Sequence, residues 1–398
     1  MLIDPDRLLA DLETLRGFGR EGAGVVRPAF SEAEIAARLW SAEKMREAGL
    51  STLVDPAGNV FGLPPGDGPW LLLGSHTDSQ LEGGWLDGAY GVIAALEAAR
   101  ALQAAGRPPV AVVNFQDEEG RFGALTGSNI WAGNLDLATA DALQGPDGRS
   151  FGEARAAMPG KADQFVPTER FKGFLEIHIE QGPWLVEAGE AVGVVERIVG
   201  IGRMSITFTG EQNHAGTTPM ARRRDAFQGL AAYATRLNAA LAPIVTEATV
   251  WTIGSARIHP GAPSIVPGKA VFSVQWRDAE AERLEAMRGA IRETAAAVAA
   301  ERGLGCAVAE GVAIPPRAFD AAFCDALAAA AETVVPGRWR RMPSGALHDT
   351  SCAASRMPAA MLFVPSIGGI SHSFAEDTAP ADLVAGAETL AQSAARLA

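Results

Sequence analysis

Two short, wholly apolar runs separated by a helical stretch limit this chain's fold more than any other feature. Leu71-Leu-Leu73 and Pro109-Val-Ala-Val-Val-Asn-Phe115 lack the alternation of a half-exposed strand. Strands this apolar belong in parallel sheets covered by helices on both faces. The alanine-rich segment from about Val92 to Ala105 lies between them and completes a β-α-β unit. The pattern predicts an α/β fold around a mixed, mostly parallel sheet. In such a sheet ligands bind just outside the carboxyl ends of the strands.

Polar chemistry follows each run at that place. Gly74-Ser-His76-Thr77-Asp78 and then Gly83-Gly-Trp-Leu-Asp87-Gly88 follow the first, and Gln116-Asp117-Glu118-Glu119-Gly120 follows the second. Each cluster also has an ordinary explanation: a polar turn entering a helix, or a solvated acidic loop. At one sheet edge, however, adjacent like charges cost energy unless a cation neutralises them. On that reading His76 and Asp87 bind a metal, and Asp78 orients the imidazole from behind.

The bulk numbers bound the answer. A length of 398 residues with 48% hydrophobic and 20% charged content suits a globular chain of two domains. A net charge of −13 argues against a nucleic-acid surface, and the apolar runs are too short to cross a bilayer. Cys306, Cys324 and Cys352 are odd in number and widely spaced, which points away from a disulfide framework or a cysteine zinc site and towards the cytoplasm. The start, Met1-Leu-Ile-Asp-Pro-Asp, lacks the basic and apolar regions of a signal peptide.

Further along, Phe174-Leu-Glu176-Ile-His178-Ile-Glu180 has the strand period and places Glu176, His178 and Glu180 on one face. A histidine sharing a face with carboxylates suits a site better than a core. From Arg203 the style changes to strand, helix (about 221–241), two strands (248–258 and 269–277), helix (279–300) and strand (305–309). That order is a ferredoxin-like α+β unit. It predicts a catalytic domain over 1–203 and 316–398, with an inserted dimerisation or lid domain over 204–315. The buried strand Ala360-Met-Leu-Phe-Val364 then leads to His372. No Walker loop, zincin helix or Gly-x-Ser-x-Gly elbow is present.

His76, Asp87, Glu119, His178 and His372 thus arrive from separate strand ends of one sheet. Two metal ions close together need a bridging carboxylate with nitrogen and oxygen ligands on either side, and Asp87 with these neighbours supplies that. The donors suit zinc first, with manganese, cobalt or nickel as alternatives. Glu118, beside a ligand, is placed to take a proton from metal-bound water.

These motifs, with Glu176-Ile-His178-Ile-Glu-Gln181-Gly-Pro183, Asn213-His214-Ala-Gly-Thr-Thr-Pro219-Met220 and Gly369-Ile-Ser-His372-Ser, resemble the amidase/hydantoinase/carbamoylase family of zinc aminopeptidase-like metallohydrolases. That family holds N-carbamoyl-L-amino-acid hydrolases, β-ureidopropionases and allantoate amidohydrolases. The resemblance spans nearly the whole chain. It implies two divalent metals per subunit, one on His76, Asp87 and His178, the other on Asp87, Glu119 and His372, with Glu118 as general base. It implies a homodimer formed through the inserted domain, whose His214 reaches the partner's site and stabilises the oxyanion. Gln181, His348 and Arg277 would meet a small carboxylate substrate, most plausibly an N-carbamoyl amino acid.

Two departures stand out. The Glu118-Glu-Gly-Arg121-Phe122 element is one residue shorter than in many members, and Ser264 stands where many have a substrate-binding asparagine. The alternatives are an allantoate or other ureido-acid amidohydrolase, an N-acyl amino acid deacylase or dipeptidase, and a non-catalytic dimeric binding protein. The last should have lost a ligand or Glu118, and it has lost neither.

Overall fold

The computed structural model describes residues 1–311 and 313–398. The chain forms two compact units, Met1–Glu196 with Phe319–Ala398, and Arg197–Ala318.

In the first unit four parallel strands occupy the middle of the sheet, in the order Ala111–Phe115, Trp70–His76, Phe171–Ile179, Ala359–Val364. Antiparallel strands flank them, Val60–Leu63 and Ser51–Val54 on one side and Val192–Ile198 on the other. The apolar runs are strands because both faces are covered. Leu71, Leu72 and Leu73 are fully buried, each contributing roughly 1.5–3 kcal/mol by leaving water. Helices Ala89–Ala104 and Pro380–Leu397 pack on one face. On the other lies an aromatic cluster that includes Phe61, Phe115, Trp131, Phe171 and Phe174.

In this unit the structure corrects the sequence reading at two places. The central strand does not end at Gly74; it runs on to His76. Gly74 is there because a Cβ would lie 2.0 Å from the Val113 carbonyl oxygen of the neighbouring strand. The following helix begins at Ala89, directly after Asp87-Gly88, and not at Val92. In Phe171–Ile179 the polar face is buried as well: Glu176 accepts hydrogen bonds from Ser75 Oγ (2.7 Å), Thr350 N (2.9 Å) and Thr350 Oγ1 (2.6 Å). Alternation here marks a buried polar network, because the strand lies mid-sheet.

The second unit has an antiparallel sheet ordered Val250–His259, Lys269–Asp278, Gly200–Thr209, Gly305–Glu310. Helices Ala226–Leu241 and Ala281–Arg302 cover one face. Numbered within the unit this order reads 2-3-1-4, the ferredoxin-like arrangement. Alternate residues Ala270, Phe272, Val274 and Trp276 enter its core with Phe208 and Tyr233. Its first helix starts at Ala226 and not 221, because Asp225 caps it by accepting from Phe227 N and Gln228 N.

Candidate metal centre

The carboxyl ends of the four parallel strands converge on one aspartate. Asp87 Oδ1 lies 3.0 Å from His178 Nε2 and 3.8 Å from His76 Nε2. Its Oδ2 lies 3.3 Å from His372 Nε2, which is 3.6 Å from Glu119 Oε2. Two groups result, His76/Asp87/His178 and Asp87/Glu119/His372, each with its ligand atoms within 4.8 Å of one another. Both use Asp87, one oxygen facing each.

Local geometry prepares these side chains. His76 Nδ1 meets the Asp78 main-chain carbonyl at 3.1 Å, and His178 Nδ1 meets that of Ile179 at 2.9 Å. A proton held on Nδ1 leaves the Nε2 lone pair turned to Asp87. The Asp78 carboxylate stands 3.6 Å from His76 Nδ1 and also accepts from Glu118 N (3.3 Å) and Glu119 N (3.1 Å). The imidazole is therefore held by the Asp78 carbonyl and faced by its carboxylate, which also fixes the acidic loop. Gly88 has φ 63°, and a Cβ there would lie 2.3 Å from the His76 ring. Gln181 and His372 also hold positive φ, 58° and 51°, strain that tends to gather at functional sites.

Electrostatics reflect crowding of acids with few cations. Burial pushes Glu118 well above the usual carboxylate range, helped by Glu119, Asp349 and Asp87 and opposed by His76, whose Nε2 is 3.6 Å from Glu118 Oε2. Burial, then Asp87, raises Glu119 to about 8. Burial opposes charge on Asp87, but His178 and His372 outweigh it and hold Asp87 well below its usual value. Contact with Asp87 lifts His372 to about 9. Among the described residues, Glu119 Oε1 is buried without a hydrogen-bond partner. An orphaned buried oxygen within a mixed imidazole and carboxylate set fits a divalent cation.

The other expected residues divide between the units. Gln181 Nε2 lies 3.1 Å from Asp87 Oδ2 and 3.2 Å from Ser371 Oγ. His348 is buried with its ring 4.6 Å from that of His178 and its Nε2 3.1 Å from Ser344 Oγ; burial takes its pKa well below the usual value. His214 and Ser264 come together in the second unit: the strand of His214 pairs with Ile265–Val266, and Ala215 N donates to Ser264 O at 2.8 Å. There Ser264 acts through its main chain. Arg277, half-buried on Lys269–Asp278, reaches Gln275 Oε1 from Nη2 at 3.2 Å; burial, then Arg203, lowers its pKa.

Two contributors escaped sequence reasoning. Glu376 is buried and accepts from Leu86 N (3.3 Å), Asp87 N (3.1 Å) and Ser371 Oγ (2.7 Å). It thereby ties the Asp87 loop to the His372 loop. Gln80 Nε2 donates to Glu119 Oε2 at 2.8 Å and to its carbonyl at 3.0 Å. The only sequence signal was proximity: Glu376 lies four residues past His372 and Gln80 two past Asp78. Glu180, expected on the site face, instead accepts from Trp184 N and Leu185 N at 2.8 Å and starts a short helix.

A parallel-centred sheet that delivers paired histidine and carboxylate groups to one rim defines a metallohydrolase-type enzyme. The chain belongs to the Peptidase family M20/M25/M40, whose sequence profile matches residues 72–396. It is 33% identical over 400 residues to an N-carbamoyl-L-amino-acid amidohydrolase of Rhizobium meliloti, covering 98% of this chain and 95% of that one. It is likewise 33% identical over 397 residues to the allantoate amidohydrolase of Escherichia coli K12, covering 96% and 95%. Among solved structures it superposes on an amidase of the hydantoinase/carbamoylase family from Burkholderia phymatum with a TM-score of 0.92, at 42% identity over 99% of this chain and 98% of that one.

Proposed function

We propose that this amidohydrolase cleaves the ureido C–N bond of a small carboxylate substrate, an N-carbamoyl amino acid, using two divalent cations per subunit. The observation that carries the proposal is the position of Asp87, with one oxygen toward each donor group. Zinc is the first expectation for His76, Asp87 and His178 on one side and Asp87, Glu119 and His372 on the other, with manganese, cobalt or nickel as substitutes. Bound there, the cations would polarise the substrate carbonyl and make water acidic at neutral pH.

The chain's own residues supply the rest. Glu118 stands beside His76, which favours its ionised form, while burial raises its affinity for a proton. It takes the proton of the attacking water and returns it to the departing nitrogen. Gln181 and Arg277 orient the substrate, the guanidinium being shaped for a carboxylate. His348 walls the site, Ser264 narrows or widens the carboxylate pocket, and His214 donates to the developing oxyanion. For a carbamoyl substrate the products are the free amino acid, ammonia and carbon dioxide. The second unit serves as lid and as the homodimer contact, and the enzyme works in the cytoplasm.

The test is ammonia release from N-carbamoyl amino acids against amine release from N-acyl analogues, with Glu118→Gln alongside. The expected result is turnover of ureido substrates and a loss of about a hundredfold or more in kcat for Glu118→Gln with metal content retained. Inactivity on every ureido compound would remove the substrate assignment. Full turnover by Glu118→Gln would remove the general base.

A further inference from the structure

His214 sits in a loop whose hydrogen bonds decide which ring nitrogen carries the proton. Gly216 N lies 3.0 Å and Thr217 N 3.2 Å from His214 Nδ1, both as donors. A backbone N–H can only donate, so Nδ1 must present its lone pair. In the neutral imidazole the proton then resides on Nε2. This is the reverse of His76 and His178, whose Nδ1 atoms face carbonyl oxygens. The loop is braced at several points: His214 N donates to Asn213 Oδ1 at 2.9 Å, and Thr218 Oγ1 donates to His214 O at 2.7 Å.

The same loop contains a residue that holds the donors in place. Arg223 donates from Nε to Thr218 O at 3.0 Å and from Nη2 to Ala215 O. Ala215 O and Gly216 N belong to one peptide unit, which is planar and trans, so they point in opposite directions. Anchoring the oxygen on Arg223 therefore aims the N–H at the His214 ring. Gly216 leaves the ring room, since a Cβ there would stand 3.1 Å from His214 Cε1.

We infer that the loop from Asn213 to Arg223 presets His214 as the Nε2–H tautomer, a ready hydrogen-bond donor, and that Arg223 is the positioning residue that maintains it. The inference rests on the proposed function only for what the donor meets; the tautomer itself follows from the loop. A donor fixed before the reaction needs no reorganisation when negative charge develops, which is what gives such groups their effect. A ring free to exchange tautomers would present a lone pair to the oxyanion part of the time.

The experiment is two-bond 1H–15N correlation NMR on the full chain with ring-labelled histidine, assigning His214 by the signals lost in His214→Asn. The expected pattern is a protonated Nε2 and an unprotonated Nδ1 at pH 8. In Arg223→Met the His214 signals should move towards a mixture of tautomers, kcat should fall on the order of tenfold, and KM should change less than about twofold. Arg223→Lys should recover part of both, because an ammonium can still donate to the Ala215 carbonyl. Thermal melts identify any variant that has unfolded, and Gly216→Ala, which presses on the ring without touching Arg223, gives a second perturbation of the same pattern. A dominant Nδ1–H form in the unaltered protein overturns the inference, and an unchanged His214 spectrum in a folded Arg223→Met overturns the role of Arg223. If the spectra are as expected but His214→Asn turns over normally, the tautomer stands and the oxyanion role in the proposed function falls.

Discussion

Gly88→Ala offers a way to separate backbone strain from the seating of a ligand. Gly88 has φ 63° and Gly106 has φ 62°. A methyl group at either position therefore incurs a positive-φ penalty of roughly 1 kcal/mol, and more at Gly88, whose ψ of −44° lies outside the left-handed helical region. Their surroundings differ completely: a Cβ at 106 meets nothing within 4 Å, whereas one at 88 lies 2.3–2.4 Å from three atoms of the His76 ring. His76 is buried, so the ring cannot swing into solvent. Overpacking of this kind adds about 1–3 kcal/mol. Gly106→Ala should lose about 1 kcal/mol in urea denaturation and bind zinc as before. Gly88→Ala should lose roughly 2–4 kcal/mol in total, and its zinc affinity by calorimetry should fall at least about a hundredfold as Nε2 is pushed off line. Equal stability losses and equal zinc binding in the two variants would refute the claim that Gly88 exists to seat His76.

Three further outcomes are expected. Tyr233 is buried in the second unit, and its hydroxyl has no hydrogen-bond partner among the described residues; Tyr233→Phe should leave stability unchanged or raise it by up to about 1 kcal/mol in denaturant melts. In the metal-free protein His372 titrates near 9, raised first by Asp87. Below that pH a proton on His372 competes with the metal, and below about 8 one on Glu119 does too, so affinity should climb with pH, by up to about tenfold per unit between 8 and 9 and more steeply below, and level off above 9; calorimetry showing pH-independent affinity would contradict this. Glu376→Ala should leave Leu86 N and Asp87 N without their carboxylate partner and weaken metal binding by about 10–100-fold, read by titration of the apoprotein.

What could be read in advance, and what could not, follows from the range of the interactions. The parallel strands were legible because Leu71–Leu73 and Val110–Val113 are apolar throughout, a local property. The ferredoxin-like order of the second unit was legible because alternation in Lys269–Asp278 separates its core face from its polar face. His76, Asp87 and His372 stood out as rare polar residues at strand ends. The partners of Glu176 could not be named because Ser75 and Thr350 lie 101 and 174 positions away. Glu376 was missed for the same reason, since its bond to Asp87 N spans 289 positions. Asp78 stood out as a partner for His76 because they are neighbours in sequence. Only the turn geometry reveals that the Asp78 carbonyl meets the same ring nitrogen, at 3.1 Å.

Anomalous diffraction from crystals grown with zinc tests the central claim most directly. The account predicts two peaks per chain, about 3.5–4 Å apart, one against Asp87 Oδ1 with His76 and His178 and the other against Oδ2 with Glu119 and His372. A single peak, or a pair that does not share Asp87, would contradict it.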